Sequence, residues 1–164
     1  MTSTGKIELM APAGNFESLQ AALDNGADSI YFGVEQLNMR ARASINFTLN
    51  DLPEIAKRCE AKRVRTYLTL NTIIYDHDLS IVKTLLDKAK SANLTAVIAM
   101  DQAVIAYARQ IGMEVHISTQ INITNIETVK FYALFADTMV LSRELSLRQV
   151  KKICDQILSG VKLW

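Results

Sequence analysis

The chain has 164 residues, a formal net charge of +1 and a hydrophobic fraction of 49%. This composition excludes disordered, collagen-like and membrane-spanning proteins, and the near-neutral charge gives no global argument for nucleic-acid binding. Two cysteines in the whole chain argue against a disulfide scaffold and favour a reducing compartment. With no recognisable signal peptide, the sequence predicts a cytoplasmic protein without membrane association.

Short β-rich runs alternate with helical stretches along the chain, which is typical of consecutive βα units. The predicted strands are nearly continuous apolar runs, as expected for strands buried on both faces: residues 7–10, 29–33, 64–71, 96–100, 114–118 and 138–141. Helix caps are predicted at Asn15 and Asp101, and capping boxes at Thr124 with Glu127 and at Ser146 with Gln149. The last helix carries a predicted apolar stripe: Leu147, Val150, Ile153, Cys154 and Ile157.

Six βα units in a row fit either an open doubly wound sheet or part of a TIM barrel. A closed barrel needs eight units and about 250 residues. Residues 161–164 resemble the start of a seventh strand, and no linker or composition shift divides the chain. We therefore expect one α/β domain over residues 1–164, a TIM-barrel-type repeat that forms an incomplete barrel. Its open first and last strands predict self-association.

Both architectures bind ligands at the carboxyl ends of their strands, and this rule selects the candidate site residues. The longest loop, residues 34–47, follows the second strand and carries Arg40 and Arg42. Guanidinium groups suit a carboxylate or a phosphate, although a solvated loop is the alternative. Asn71 ends the third strand. Asp101 follows the fourth strand, where helix capping alone would explain it.

The fifth strand is the most suggestive, because His116, Ser118 and Gln120 share one face. This row predicts ligand binding, and a structural histidine is the alternative. His116 and Ser118 can also be interpreted as a base and a nucleophile, with Asp101 as the orienting carboxylate. The sequence, however, has no nucleophile-elbow motif.

Charged residues accompany the sixth and first strands. Arg143 and Glu144 follow the sixth strand and can pair with each other or with a substrate. Glu8 lies in a predicted buried strand and therefore requires a partner. The candidate partners are Arg40, Arg42 and Arg65.

Metal binding is poorly supported by the sequence. His77 and His116 lie on different elements, and both Cys59 and Cys154 fall on apolar helix stripes, as small core residues do. Residues 57–65 form the one basic run, which is either a solvated helix end or an RNA contact.

Six segments, in this order and spacing, resemble motifs of the U32 peptidase family, also called the collagenase-like proteases. They are ELMAPAGNFE from residue 8, GADSIYFG from residue 26, RARA from residue 40 with NFT from residue 46, LNT from residue 70, HISTQ from residue 116 and LSRELS from residue 141. The resemblance covers residues 8–156.

The resemblance implies a TIM-barrel N-terminal domain and two kinds of activity. One is hydrolysis of collagen and peptides, with no settled catalytic residues. The other is hydroxylation of tRNA or ribosomal RNA, with prephenate used by some members. The implied partners are thus a peptide or a small anion, and tRNA or rRNA. Prephenate, a dicarboxylate, would suit Arg40, Arg42 and Arg143.

Hydroxylating members carry a four-cysteine iron–sulfur cluster, and neither Cys59 nor Cys154 matches a cluster position. We therefore expect no cofactor in this chain, a cluster only in a longer protein, and an enzyme activity that this chain alone does not display.

Overall fold

The computed structural model describes residues 7–34, 47–157 and 160–164. Within them, seven parallel strands form one sheet in sequential order, each paired with the next along the chain. The strands are β1 Met10–Pro12, β2 Ser29–Gly33, β3 Arg65–Leu70, β4 Ala96–Ala99, β5 Glu114–Ile117, β6 Thr138–Met139 and β7 Lys162–Leu163. The order never reverses, which excludes the doubly wound alternative.

In the part of the chain that the structure describes, six α-helices connect the strands: α1 Phe16–Asp24, α2 Leu52–Ala61, α3 Leu79–Ser91, α4 Gln102–Gln110, α5 Ile126–Tyr132 and α6 Leu147–Cys154. Two short 3₁₀ helices, Asp76–Asp78 and Thr119–Ile121, lie in the loops that follow β3 and β5. No helix of the described ranges is long and apolar enough to cross a membrane. The prediction of six βα units followed by a seventh strand is confirmed.

The sheet is strongly curled. In a flat sheet β3 and β7 would lie roughly 19 Å apart, because neighbouring strands are about 4.8 Å apart. Yet the ring of Tyr67 on β3 lies 5.3 Å from the ring of Trp164, directly after β7. The sheet therefore curves as a TIM barrel does, with its concave face inside and its first and last strands unpaired to each other.

The two faces of the sheet differ in chemistry. The convex face packs on the helices in one large apolar core, with members such as Phe32, Leu68, Val97 and Ile117. The concave face carries a second, smaller cluster formed by Tyr67, Ala96 and Ile98, with Tyr31 and Trp164 beside it. The convex core supplies most of the apolar burial and leaves the concave face for polar groups.

Side-chain caps fix where several helices begin. The Asn15 side chain accepts a hydrogen bond from Ser18 N at 2.8 Å, and Asp101 accepts one from Ala103 N at the same distance. The capping box of Ser146 with Gln149 is confirmed. The box predicted at Thr124 is wrong by one residue, because Asn125 caps α5 through Thr128 N at 2.9 Å.

The apolar stripe predicted for α6 is too wide. Ile153 is buried and Val150 and Ile157 pack on the core, but Leu147 and Cys154 are exposed. At 3.6 residues per turn, these two side chains lie roughly a quarter turn from the centre of the packed stripe. The expectation that Cys154 is a core residue is therefore wrong, whereas Cys59 is buried as expected.

Candidate functional site

The predicted site residues fall at three levels of the curled sheet. Six of them follow the carboxyl ends of strands, a region that we call the rim: Asn71, Asp101, Ser118, Gln120, Arg143 and Glu144. His116 lies within β5, inside the curl, and Glu8 lies before β1, at the opposite, amino end. The structure therefore does not bring Glu8 together with the rim. Arg40 and Arg42 lie outside the described residues.

Asp101 connects two loops of the rim. One carboxylate oxygen caps α4, and the other accepts a hydrogen bond from Ile74 N at 3.3 Å. The same side chain thus starts one helix and holds the loop that follows β3. The capping alternative considered for Asp101 is confirmed, and the carboxylate has an additional structural bond.

Ser118 also acts as a cap. Its side chain is buried, and its hydroxyl accepts a hydrogen bond from Gln120 N at 3.4 Å, at the start of the 3₁₀ helix. His116 instead turns its Nε2 to Glu114, 2.8 Å away, and Asp101 bonds backbone amides. The three residues therefore do not form a base–nucleophile–carboxylate arrangement.

The loop after β6 holds an ionised carboxylate. The Ser142 hydroxyl donates a hydrogen bond to Glu144, and this bond, helped by the charge of Arg143, lowers the pKa of the Glu144 carboxyl. Arg143 and Glu144 are both exposed at the rim. This part of the rim can accept hydrogen bonds through Glu144 and meet an anion through Arg143.

Alternate strands contribute an aromatic layer inside the curl. Tyr67, His116 and Trp164 come from β3, from β5 and from the residue after β7. The ring of His116 lies 4.8 Å from that of Tyr67 and 4.7 Å from that of Trp164. Layers built from alternate strands are typical of TIM barrels, although these layers usually consist of branched aliphatic residues.

A charged layer lies one step nearer the amino ends of the strands. Arg65, Glu114 and Lys162 each stand two residues before a member of the aromatic layer, on the same face, and Glu8 completes the set before β1. In strand order the charges alternate: Glu8, Arg65, Glu114, Lys162. Glu8 forms an ion pair with Arg65, so one of its three predicted partners is confirmed.

Hydrogen bonds join the aromatic layer to the charged layer. The Tyr67 hydroxyl donates to Glu8 Oε1 at 2.8 Å, and His116 Nε2 contacts Glu114. Ala96 is the register partner of both Tyr67 and Glu114. Its small side chain leaves room for these contacts between layers.

Burial controls the protonation of the interior. The side chain of His116 is 1% exposed, and burial lowers its pKa more than the nearby Glu114 carboxylate raises it. The imidazole is therefore neutral at neutral pH. Burial, with the bond to Glu8, also raises the pKa of Tyr67.

Buried side-chain atoms without a hydrogen-bond partner are confined to the concave face in the described ranges. They are Ser29 Oγ, His116 Nδ1 and Thr138 Oγ1. Such orphaned atoms are uncommon in folded proteins. The interior therefore keeps hydrogen-bonding capacity that the chain does not use.

The residues present do not fit an iron–sulfur cluster. Cys59 is buried under α2, where burial raises the pKa of its thiol to about 11, while Cys154 is exposed on α6. The part of the chain that the structure describes contains no group of three or more His, Cys, Asp or Glu residues able to hold a metal ion.

The basic run at residues 57–65 is largely engaged within the chain. Arg58 bonds Glu54 at 2.7 Å and its guanidinium lies 4.8 Å from the centre of the Phe16 ring. Lys62 lies 3.7 Å from Asp24, and Arg65 pairs with Glu8. These contacts engage three of the five basic residues of the run, and the solvated helix end and the RNA contact both stay predictions.

The sequence pattern did not indicate Tyr67, Glu114 or Trp164 as site residues. The sequence does contain a period-two pattern that places these residues on one strand face: Glu114 stands two residues before His116, and Lys162 stands two residues before Trp164. What the sequence lacked was the curvature that brings β3 and β7 together.

Comparison with known proteins assigns the chain to a family. The chain matches Peptidase family U32 over residues 14–163. It is 53% identical over 150 residues to a collagenase of Porphyromonas gingivalis, covering 92% of this chain and 36% of that protein. It is 30% identical over 157 residues to a tRNA hydroxylation protein of Bacillus subtilis, covering 94% and 37%. The chain thus spans little more than a third of the length of these relatives.

A solved structure agrees with the fold. The U32 peptidase Mk0906 matches with a TM-score of 0.76 at 14% identity, covering 99% of this chain and 70% of that one. At this identity the match supports the barrel fold alone. The family match covers nearly all of the chain, and the relatives align along more than nine-tenths of it. The chain therefore belongs to peptidase family U32.

Proposed function

We propose that the protein hydrolyses peptide bonds and that this chain supplies the substrate-binding rim. The observation that carries the proposal is the 53% identity to a collagenase over 92% of the chain, against 30% to the tRNA hydroxylation protein. Identity of this size along nearly the whole chain favours a shared substrate class over a shared fold alone.

The rim offers the groups that an extended peptide needs. A peptide backbone presents alternating N–H donors and carbonyl acceptors. Glu144, kept ionised by Ser142, accepts hydrogen bonds, while the exposed side-chain amide of Gln120 can donate and accept. We assign binding, and not bond cleavage, to these residues, because the Glu144 carboxylate already accepts the hydrogen bond of Ser142 and the carboxamide of Gln120 is not a nucleophile.

The test is hydrolysis of gelatin and of a fluorogenic peptide by protein expressed from the complete gene. Glu144→Gln should raise KM several-fold, because the charge-assisted bond is lost. Glu60→Gln, at the end of α2 far from the rim, is the matched control and should leave KM unchanged. Purified protein that hydrolyses neither substrate would contradict the proposal.

RNA hydroxylation is the second candidate, and the 30% identity to the tRNA hydroxylation protein favours it. In that case the partners are tRNA or rRNA and a small anion such as prephenate, which Arg143 would meet at the rim. The ligands of an iron–sulfur cluster would then come from residues beyond Cys59 and Cys154. Loss of a hydroxylated nucleoside from the RNA of a deletion strain, measured by mass spectrometry, would select this candidate.

We further propose a cytoplasmic location and self-association through the sheet edges. In the described sheet, β1 and β7 are edge strands of three and two residues. Unpaired edge groups can pair with a second chain. Light scattering of this 164-residue chain should show a dimer or larger species, and a clean monomer would contradict self-association. Cell fractionation tests the location.

A further inference from the structure

The loop between β3 and α3 exposes an aromatic pair at the rim. Tyr75 is 61% exposed, and the side chain of His77 is 80% exposed. Their rings are parallel to within 2°, with centroids 5.7 Å apart. Ile73, two residues earlier, is 60% exposed. We call these three residues the loop platform.

Core packing and hydrogen bonds hold the backbone of the loop platform in place. Ile74 packs against the main core, and its N–H donates to Asp101. Tyr75 N donates to Asp78 Oδ2 at 3.0 Å, and Asp78 N donates back to the Tyr75 carbonyl at 2.8 Å. The exposed rings are therefore presented from a backbone that is already ordered, which lowers the entropy lost on binding.

The segment that carries the loop platform has a negative formal charge. Asp76 and Asp78 flank His77, and the sequence has no lysine or arginine from Thr66 to Val82. The two carboxylates of this segment repel the phosphates of a nucleic acid. The same carboxylates attract a cationic side chain, and the face of a tyrosine ring packs well against flat apolar groups and cations.

We propose that the loop platform docks an extended peptide substrate. A proline or aliphatic side chain of the peptide packs on the Tyr75 ring and Ile73, and a cationic side chain lies near Asp76. This inference rests on the proposed peptidase function and names the part of the substrate that the rim recognises. Tyr75 is thus a specificity-determining residue for peptides and takes no part in bond cleavage.

The experiment uses protein from the complete gene and two fluorescent peptides of equal length. One contains a proline followed by an arginine, and the other contains serine at both positions. Tyr75→Ala should raise KM for the proline peptide about five- to tenfold, since aromatic contacts carry about this much binding. The serine peptide should change by less than twofold, and kcat should stay constant for both. Tyr75→Phe should retain most of the affinity.

Phe131→Ala is the matched control. Phe131 is 57% exposed, comparable to Tyr75, but it lies near the end of α5, toward the amino ends of the strands. It removes an exposed ring without touching the rim. KM changes of the same size in Phe131→Ala and Tyr75→Ala would overturn the proposal, as would an unchanged KM in Tyr75→Ala.

A direct measurement of peptide binding distinguishes a failure of this proposal from a failure of the proposed peptidase function. If no variant hydrolyses peptide, the peptidase function fails, and fluorescence anisotropy then measures peptide affinity alone. Tyr75-dependent affinity for the proline peptide supports the loop platform, and equal affinity of wild type and Tyr75→Ala overturns it. Tyr75-dependent binding of a single-stranded RNA oligonucleotide, without peptide binding, also overturns it.

Discussion

Replacing Tyr67 with phenylalanine tests the link between the aromatic and charged layers. The ring is 1% exposed and its hydroxyl donates to Glu8 Oε1 at 2.8 Å. Hydrogen bonds to charged groups contribute about 1.5–3 kcal/mol. The Glu8 side chain is 20% exposed and keeps its ion pair with Arg65, so the loss should lie at the lower end. We expect Tyr67→Phe to lower the free energy of unfolding by about 1.5–2 kcal/mol.

Urea denaturation of a double-mutant cycle with Glu8→Ala measures this coupling. In the Glu8→Ala background the hydroxyl is left without its acceptor, so Tyr67→Phe should then cost less than about 0.5 kcal/mol. Tyr107→Phe is the matched control, because the Tyr107 hydroxyl also donates to a carboxylate, Asp87 at 3.0 Å, but on the surface. Its cost should be clearly smaller, because an exposed hydroxyl can bond water instead. Equal losses from Tyr67→Phe and Tyr107→Phe would refute the reasoning.

Three further predictions concern pH and caps. Burial lowers the pKa of His116, so the unfolded chain binds a proton more readily than the folded chain does. The free energy of unfolding should therefore fall as the pH drops below about 6.5, by at most about 1.4 kcal/mol per pH unit. His116→Asn should flatten this slope in urea midpoints at pH 7.5, 6.5 and 5.5, and parallel slopes would contradict it. Asp101→Ala should cost about 1–2 kcal/mol, and Asp101→Asn less, in thermal unfolding, whereas equal losses would exclude the capping explanation. Ser142→Ala should raise the pKa of Glu144 in an NMR titration, and an unchanged pKa would show that the hydroxyl is irrelevant.

The order of elements was predictable because each helix and strand has a local signal. The predicted and observed β2 are identical, residues 29–33. The first strand was less predictable: the apolar pattern indicated residues 7–10, but β1 is Met10–Pro12, paired with β2 from Ser29 onward. Ile7 and Leu9, before the strand, are as apolar as the residues within it. Pairing with a neighbouring strand, and not local composition, sets where such an edge strand begins.

The candidate site was predictable to the level of a strand face. Period-two alternation predicted that His116, Ser118 and Gln120 share one strand face, but β5 ends at Ile117 and Gln120 lies in the 3₁₀ helix that follows. The charge of Glu8 correctly implied a partner, which is Arg65. The sequence could not separate the rim from the interior, because height along the barrel axis depends on the stagger between strands. It also could not pair Tyr67 with Trp164, which are far apart in the chain and meet only through curvature.

Trp164, the single tryptophan of this chain, makes the barrel interior optically observable. Its indole ring meets the edge of the His116 imidazole at 86° and lies beside Tyr67. A protonated imidazole quenches indole fluorescence more strongly than a neutral one. The emission of Trp164 therefore reports the charge state of His116, and energy transfer from the neighbouring tyrosines, Tyr67 and Tyr31, reports whether the sheet stays curled. The intrinsic fluorescence of the unlabelled chain can thus follow both the curvature of the sheet and the protonation of His116.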